Sequence, residues 1–322
     1  MAHRRAPRAA RSLGHAAPAV NVEVAIREEV RFGRDGELCA GWFYPAEGPL
    51  PRPVVVMGHG LGATREMGLD AYARRFCGAG FSVLAFDYRH YGASEGQPRE
   101  LLSIARQLAD WRAAIAFVKA REGVDASRVA IWGSSFGGGH VLRLVASQVD
   151  VAAAIAQVPF SSGLASTLCL RLWTALRVSW WAAVDMLRGA LGLSPAYIAL
   201  VGRPGDVALM SASDSHDGYL ALVRGDLESA GLWRNRVAAR IGLALPFYSP
   251  ARGLARGLAP LLMLVAERDT IAPARPAIDA AARYPRAELR RYPDGHFDYY
   301  RGEGFERAVA DELAFLGRHL RP

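Results

Sequence analysis

The amino-acid sequence predicts an α/β protein whose mostly parallel central sheet is covered by helices on both faces, and three observations carry that expectation. Short apolar runs alternate with stretches of helical periodicity through most of the 322 residues, which is the pattern of strand, crossover helix and parallel strand. One of these runs, Val129-Ala130-Ile131-Trp132, stops at a small-residue turn and resumes as helix. The alternation lapses over residues 160–259 and then returns, so that the middle stretch reads as a helical lid inserted into one sheet.

Taken in order, Val22 to Phe32 reads as a strand, Arg34-Asp35-Gly36 as a tight turn and Leu38 to Tyr44 as the returning strand of a hairpin. A proline-rich loop leads to Val54-Val55-Val56-Met57, a continuous apolar run of the kind buried on both faces of a parallel sheet. It ends in Gly58-His59-Gly60-Leu61-Gly62. Leu69, Tyr72 and Phe76 mark a helix closed by Gly78 to Gly80, and Phe81 to Phe86 is the next buried strand. Ile104, Leu108, Trp111, Ile115 and Val118 form one face of a long helix. Val151 to Val158 is a strand, and the insertion follows. Leu261 to Ala266, a helix near Arg275 to Arg283, Ala287 to Tyr292 and a last helix bearing Val309, Leu313, Leu316 and Leu320 complete the pattern. The organisation is thus an Arg/Ala-rich tail over 1–21, read as disordered, a first core part over 22–159, the lid over 160–259 and a second core part over 260–322.

Composition narrows the function. With 51% hydrophobic residues the chain can bury a large core. The net charge is +8, but Arg4, Arg5, Arg8 and Arg11 precede the first acid, Glu23, and +8 less those four charges is +4. No basic stripe interleaved with aromatics appears, which argues against nucleic acid as a partner. The three cysteines, Cys39, Cys77 and Cys169, are widely spaced and odd in number, so neither a disulfide framework nor a Cys-x-x-Cys metal site is expected and a reducing cytoplasm fits. The Arg-Arg pair near the start has no apolar run after it, unlike an export signal. Leu164 to Leu191 is interrupted by Arg171, Arg177, Asp185 and Arg188, too charged for an ordinary membrane span.

The chemistry is expected at the strand ends. Gly133-Ser134-Ser135-Phe136-Gly137 is a G-x-S-x-G turn between strand and helix, a nucleophile elbow in which the central Ser135 takes a strained conformation and the flanking glycines avoid a clash. The Phe136 N–H, opening the next helix, is aimed where an oxyanion would form, and the Leu61 N–H in the glycine turn after the Val54 strand is the expected second donor. Ser135 needs a base and an orienting acid. His296 follows the last strand. Asp269 follows the Leu261 to Ala266 strand, and Glu267, two residues nearer, is the competing carboxylate but comes too directly off the strand. Asp87 also ends a strand and reads as an ion pair with Arg89. Of the other histidines, His59 reads as loop structure, His90 and His216 as surface and His140 as helix packing.

With those positions assigned, the chain resembles the α/β-hydrolase superfamily, whose members place Ser, Asp and His in this chain order. The resemblance covers nearly everything after residue 22. The runs Gly58-His59-Gly60-Leu61-Gly62, Phe86-Asp87-Tyr88-Arg89, Trp132-Gly133-Ser134-Ser135-Phe136-Gly137-Gly138 and Gly295-His296-Phe297-Asp298 look like the branch of polyketide-releasing thiohydrolases, polyketide transferases and X-prolyl dipeptidyl-peptidase-like esterases. That resemblance implies a Ser-Asp-His acyl-transfer enzyme with neither metal nor organic cofactor. The expectation is a serine hydrolase of apolar acyl esters or thioesters. An acyltransferase, or a noncatalytic binding protein on the same fold, is the alternative. Trp173, Trp180 and Trp181 in the lid are the candidates for contact with the substrate's acyl chain.

Overall fold

Strands form where the apolar runs place them, and the two-residue period of their side chains builds a core on each face of the sheet. The computed structural model describes residues 27–34, 36–223 and 225–321; the 1–21 tail and Asp35 of the hairpin turn lie outside them. The first strands are β1 (Glu28–Arg34), β2 (Glu37–Tyr44), β3 (Arg52–Gly58), β4 (Ser82–Phe86), β5 (Val124–Ser134) and β6 (Ala153–Gln157). With β10 (Leu261–Ala266) and β11 (Ala287–Tyr292) they make one eight-stranded sheet, ordered β1-β2-β4-β3-β5-β6-β10-β11. β1 and β2 are antiparallel to each other and β2 to β4; from β4 to β11 all pairs are parallel.

Val54, Val56, Val129 and Ile131 point to one face, against Trp111 and Ile115 of α2 (Ile104–Lys119) and Val141 and Leu144 of α3 (Phe136–Ala146). Val55, Met57, Ala130 and Trp132 point to the other, against Tyr72 and Phe76 of α1 (Leu69–Gly78) and Phe315 and Leu316 of the last helix (Gly302–His319). Each such aliphatic side chain contributes about 1.5–3 kcal/mol by leaving water. The chain runs from β3 outward to β4 and then returns to the other side of β3 as β5. Strand order therefore reverses at β3, and a crevice opens beyond the carboxyl ends of β3 and β5, where ligands bind in open parallel sheets.

Residues 160–259 leave the sheet after β6 and return at β10. They hold α4 (Gly163–Leu168), α5 (Leu172–Ala190), β7 (Tyr197–Val201), β8 (Ala208–Met210), α6 (Ser215–Leu220), α7 (Gly225–Ser229), β9 (Val237–Ala238) and α8 (Ile241–Ala244). The stretch that reads as helical from sequence thus also contains a small sheet, β8-β7-β9. Its strands have five, three and two residues, too short for periodicity to separate strand from helix. One buried carboxylate fastens the insertion internally. Asp185 of α5 accepts from the Arg240 backbone N–H at 2.8 Å, from the Arg240 guanidinium at 2.7 and 3.0 Å, and from the Ala196 N–H at 2.8 Å. Among the described residues no helix is long and apolar enough to cross a membrane.

Candidate active site

Ser135 sits between β5 and α3 with φ 57° and ψ −117°, a conformation that L residues rarely adopt. Its neighbours explain how the chain tolerates it. A Cβ on Gly133 would stand 2.3 Å from the Gly137 carbonyl oxygen, and one on Gly137 would stand 2.5 Å from that of Gly58. Side chains at either position would push strand, turn and helix apart. The turn is held by backbone bonds to the next strand: Ser135 N–H donates to Gln157 O at 2.9 Å, and Phe160 N–H donates to Ser135 O at 2.9 Å.

The structure brings Ser135, Asp269 and His296 together from the ends of β5, β10 and β11. His296 Nε2 lies 3.0 Å from Ser135 Oγ, and His296 Nδ1 lies 2.6 Å from Asp269 Oδ2. The other oxygen, Asp269 Oδ1, accepts the backbone N–H groups of Ile271 at 2.8 Å and Ala272 at 2.7 Å, so the carboxylate plane is fixed. A carboxylate can only accept, so Nδ1 keeps its proton and donates it in a hydrogen bond to Asp269, which leaves the Nε2 lone pair to accept from the Ser135 hydroxyl. Burial pushes the His296 pKa down. The charge and hydrogen bond of Asp269, with a further push from Asp214, more than offset this and hold it above its ordinary value. Glu267, the competing acid, is at the surface, 2.6 Å from Arg291.

Phe136 N–H opens α3 and Leu61 lies across the cavity from it; among the described residues neither N–H is bonded to an acceptor. The loop that carries Leu61 packs directly on the serine. A Cβ on Gly60 would be 3.2 Å from Ser135 Cβ, so glycine allows that approach. The insertion holds the same loop in place: Tyr219 donates to Leu61 O at 2.8 Å and Trp233 Nε1 to Gly62 O at 3.0 Å.

Ser135 opens onto two spaces. The larger, with about 800 Å³ of free volume that is partly open to solvent, lies beneath the insertion and is walled by Phe160, Val178, Leu209, Met210, Leu245 and Ile271 among others. No described residue of its wall is a carboxylate. A smaller and more enclosed space of about 400 Å³ lies on the other side, walled by Met67, Leu69, Tyr219, Leu222, Phe297 and Tyr300 and reaching His296.

Trp173, Trp180 and Trp181 are not in either wall. They stand on the outside of α5, 64%, 68% and 43% exposed. The reason is the helix period: α5 buries Thr174, Val178, Ala182 and Asp185, a stripe at offsets of four, eight and eleven, which turns the tryptophan-bearing face outward. Other sequence expectations shift as well. Asp87 is a buried anchor, but it accepts the Arg65 N–H at 2.8 Å and the Ala93 N–H at 3.1 Å and lies 3.5 Å from the Arg65 guanidinium; Arg89 pairs instead with Asp110 at 2.6 Å. His90 is not at the surface but buried, Nδ1 on Pro98 O and Nε2 accepting from Arg106, each at 3.0 Å. His59 and His140 are buried, and burial lowers their pKa values to about 4 and about 3. His216 pairs with Asp217 at 2.7 Å.

Two features at the site went unread in the sequence. Ser134 Oγ accepts from Gln157 at 3.0 Å and lies 2.7 Å from the Tyr300 hydroxyl, locking the residue beside Ser135 into the core. Asp214 of the insertion accepts from Thr270 Oγ1, next to Asp269, and reaches the field of His296. Its signal was available, since Asp214 lies in the polar break 211–218 of an otherwise apolar stretch.

Comparison with known proteins identifies the family and the fold. The family model described as serine aminopeptidase, S33, matches residues 49–297. The quorum-quenching protein AidA of Acinetobacter baumannii is 42% identical over 290 residues, covering 90% of this chain and 94% of its own. The polyketide transferase af380 of Aspergillus fumigatus is 30% identical over 305 residues, covering 91% and 99%. Among solved structures, the α/β hydrolase GrgF from a Penicillium species superposes with a TM-score of 0.76 at 25% identity, over 92% of this chain and 99% of that one.

Proposed function

We propose that this chain, which belongs to the serine aminopeptidase (S33) family of α/β hydrolases, cleaves carboxylic esters or thioesters of apolar acyl groups through an acyl-enzyme on Ser135. The observation that carries this reading is the hydrogen-bonded chain from Asp269 through His296 to Ser135 at the foot of a largely apolar cavity. His296 Nε2 takes the hydroxyl proton as Ser135 Oγ bonds to the acyl carbon. The carbonyl π electrons move to oxygen, and the oxyanion is met by the N–H groups of Leu61 and Phe136, each such donor being worth roughly 10²–10³ in rate. Collapse expels the alcohol or thiol, which leaves with the proton from His296. Water then repeats the sequence on the acyl-enzyme and frees the acid. Asp269 keeps the imidazole in the working tautomer.

The cavity wall speaks against amino-terminal peptides as preferred substrates, because an ammonium group held there needs a carboxylate and none of the described wall residues is one. Apolar chains fit it. Each buried methylene contributes about 0.8 kcal/mol, so kcat/KM rises roughly fourfold per added methylene until the space is full. Acyl transfer to a bound alcohol or amine is the second reading. It accords with the name of the Aspergillus relative.

The test is a series of p-nitrophenyl esters and acyl thioesters of increasing length beside a proline-containing aminoacyl amide, with a fluorophosphonate probe to trap the nucleophile. Rising kcat/KM with chain length and labelling at Ser135 are expected. A maximum at acetyl, or efficient amide cleavage, would reject the acyl preference. Silencing of a quorum-sensing reporter, after the name of the quorum-quenching Acinetobacter relative, is a further readout.

A further inference from the structure

Among the described residues, most of the exposed large apolar side chains lie on α4 and α5. Along α5 the outer face carries Trp173, Leu176, Trp180 and Leu187, all half exposed or more, continued by Leu191 beyond the helix end. These positions recur at offsets of three, seven, fourteen and eighteen, which align them on the side of the helix opposite its buried stripe. Leu168 and Leu172, at the α4–α5 junction, are about three-quarters exposed. Nothing among the described residues covers them.

Charge on this face is one-sided. Between Gly163 and Leu191, the span of α4 and α5, the sequence holds Arg171, Arg177 and Arg188 and a single acid, Asp185. That acid is buried and already bonded to Arg240. Arg177 lies against the Trp173 ring, 5.4 Å from its centroid, within the stripe itself. Tryptophan and leucine on a helix face bordered by arginines, with no exposed carboxylate on that helix, match an anionic headgroup layer over an acyl boundary. A second copy packed two-fold on the same face would set arginines of like charge against one another.

The face is also continuous with the cavity. Ala175, Val178 and Ser179 of α5 and Cys169 and Leu170 of the α4–α5 junction line the space that reaches Ser135, while Leu168 and Leu172 flank that lining on the outside. From this juxtaposition we propose that α4 and α5 form a peripheral docking surface for anionic phospholipid membranes, which sets the cavity's α5 wall against the bilayer that supplies acyl substrates. The docking stands on the surface alone; the delivery of substrate rests on the reading of the Ser135 cavity as an acyl site.

The experiment uses the full chain with vesicles of phosphatidylcholine, alone or mixed with phosphatidylglycerol, followed by co-sedimentation and tryptophan emission. Binding to the anionic vesicles with a blue shift is expected, and little binding to the neutral ones. Trp173→Ala with Trp180→Ala should remove it, and Arg171→Gln or Arg177→Gln should each weaken it roughly fivefold. All of these variants should keep wild-type turnover of a soluble short-chain p-nitrophenyl ester, which separates a failed docking surface from a failed active site. Absence of binding to either vesicle, binding unchanged in the tryptophan variants, or a stable dimer in solution that the same substitutions dissociate would each overturn the proposal.

Discussion

The sheet and the insertion use apolar residues in opposite ways. Val54 to Met57 and Val129 to Trp132 are buried completely, with helices on both faces, whereas α5 buries a narrow stripe and shows its tryptophans and leucines to solvent. The positions proposed to carry the chemistry reflect that difference. Ser135, Asp269 and His296 stand at the ends of buried strands, where the backbone cannot drift. The insertion supplies the cavity wall and the outward surface, where shape and exposure matter more than sub-ångström placement. On the proposed reading, rigid strand ends set what reaction can occur and the covering segment sets what reaches it.

The largest effect that tests this contrast belongs to the sheet. Ser135→Ala should lower kcat by roughly 10⁶-fold, because nucleophile and base act as a unit, while Ser134→Ala, which loses only its contacts to Gln157 and Tyr300, should be far milder. Equal losses, measured by steady-state ester hydrolysis, would dissolve the distinction between the two serines. Asp269→Asn should cost roughly 10⁴-fold through the wrong imidazole tautomer. Glu267→Gln, at the surface with Arg291, should leave the rate near wild type.

Stability gives the next comparison, between two tryptophans. Trp132 is fully buried in β5 and donates to Glu312 at 2.9 Å, so Trp132→Ala should destabilise by about 3–5 kcal/mol in urea unfolding. Trp180→Ala, on the open face of α5, should stay within about 0.5 kcal/mol. Comparable losses would mean that the outer face of α5 is packed in solution and that the contrast drawn between sheet and insertion fails.

The smallest effect couples the two regions. His296 works as a base only when neutral, and its pKa is raised, so activity should fall as pH drops through a value above that of an ordinary histidine. Asp214 from the insertion contributes to that rise. Asp214→Asn should therefore move the acid limb of kcat/KM to lower pH, because the imidazolium loses a stabilising charge. An unmoved limb would show that the insertion does not reach the base electrostatically.

By itself the sequence determined the strands of the central sheet, their parallel pairing by way of helices and the strained turn at Ser135, because each of these depends on residues adjacent in the chain. An apolar run of four flanked by glycines leaves few alternatives, and the residues just past such runs must face the crevice. Asp269 and His296 were legible for that reason. Tertiary structure alone decided which distant groups meet. Asp87 took Arg65 rather than its near neighbour Arg89, since the loop after β3 packs on the loop after β4. His90 was drawn into the interior by Pro98 and Arg106. The orientation of α5 followed from Asp185, whose buried bonds to Arg240 and Ala196 fix one face inward and send Trp173, Trp180 and Trp181 to the surface. Amphipathic periodicity states that a helix has two faces, but when both are apolar only the packing of a distant partner determines which one is covered.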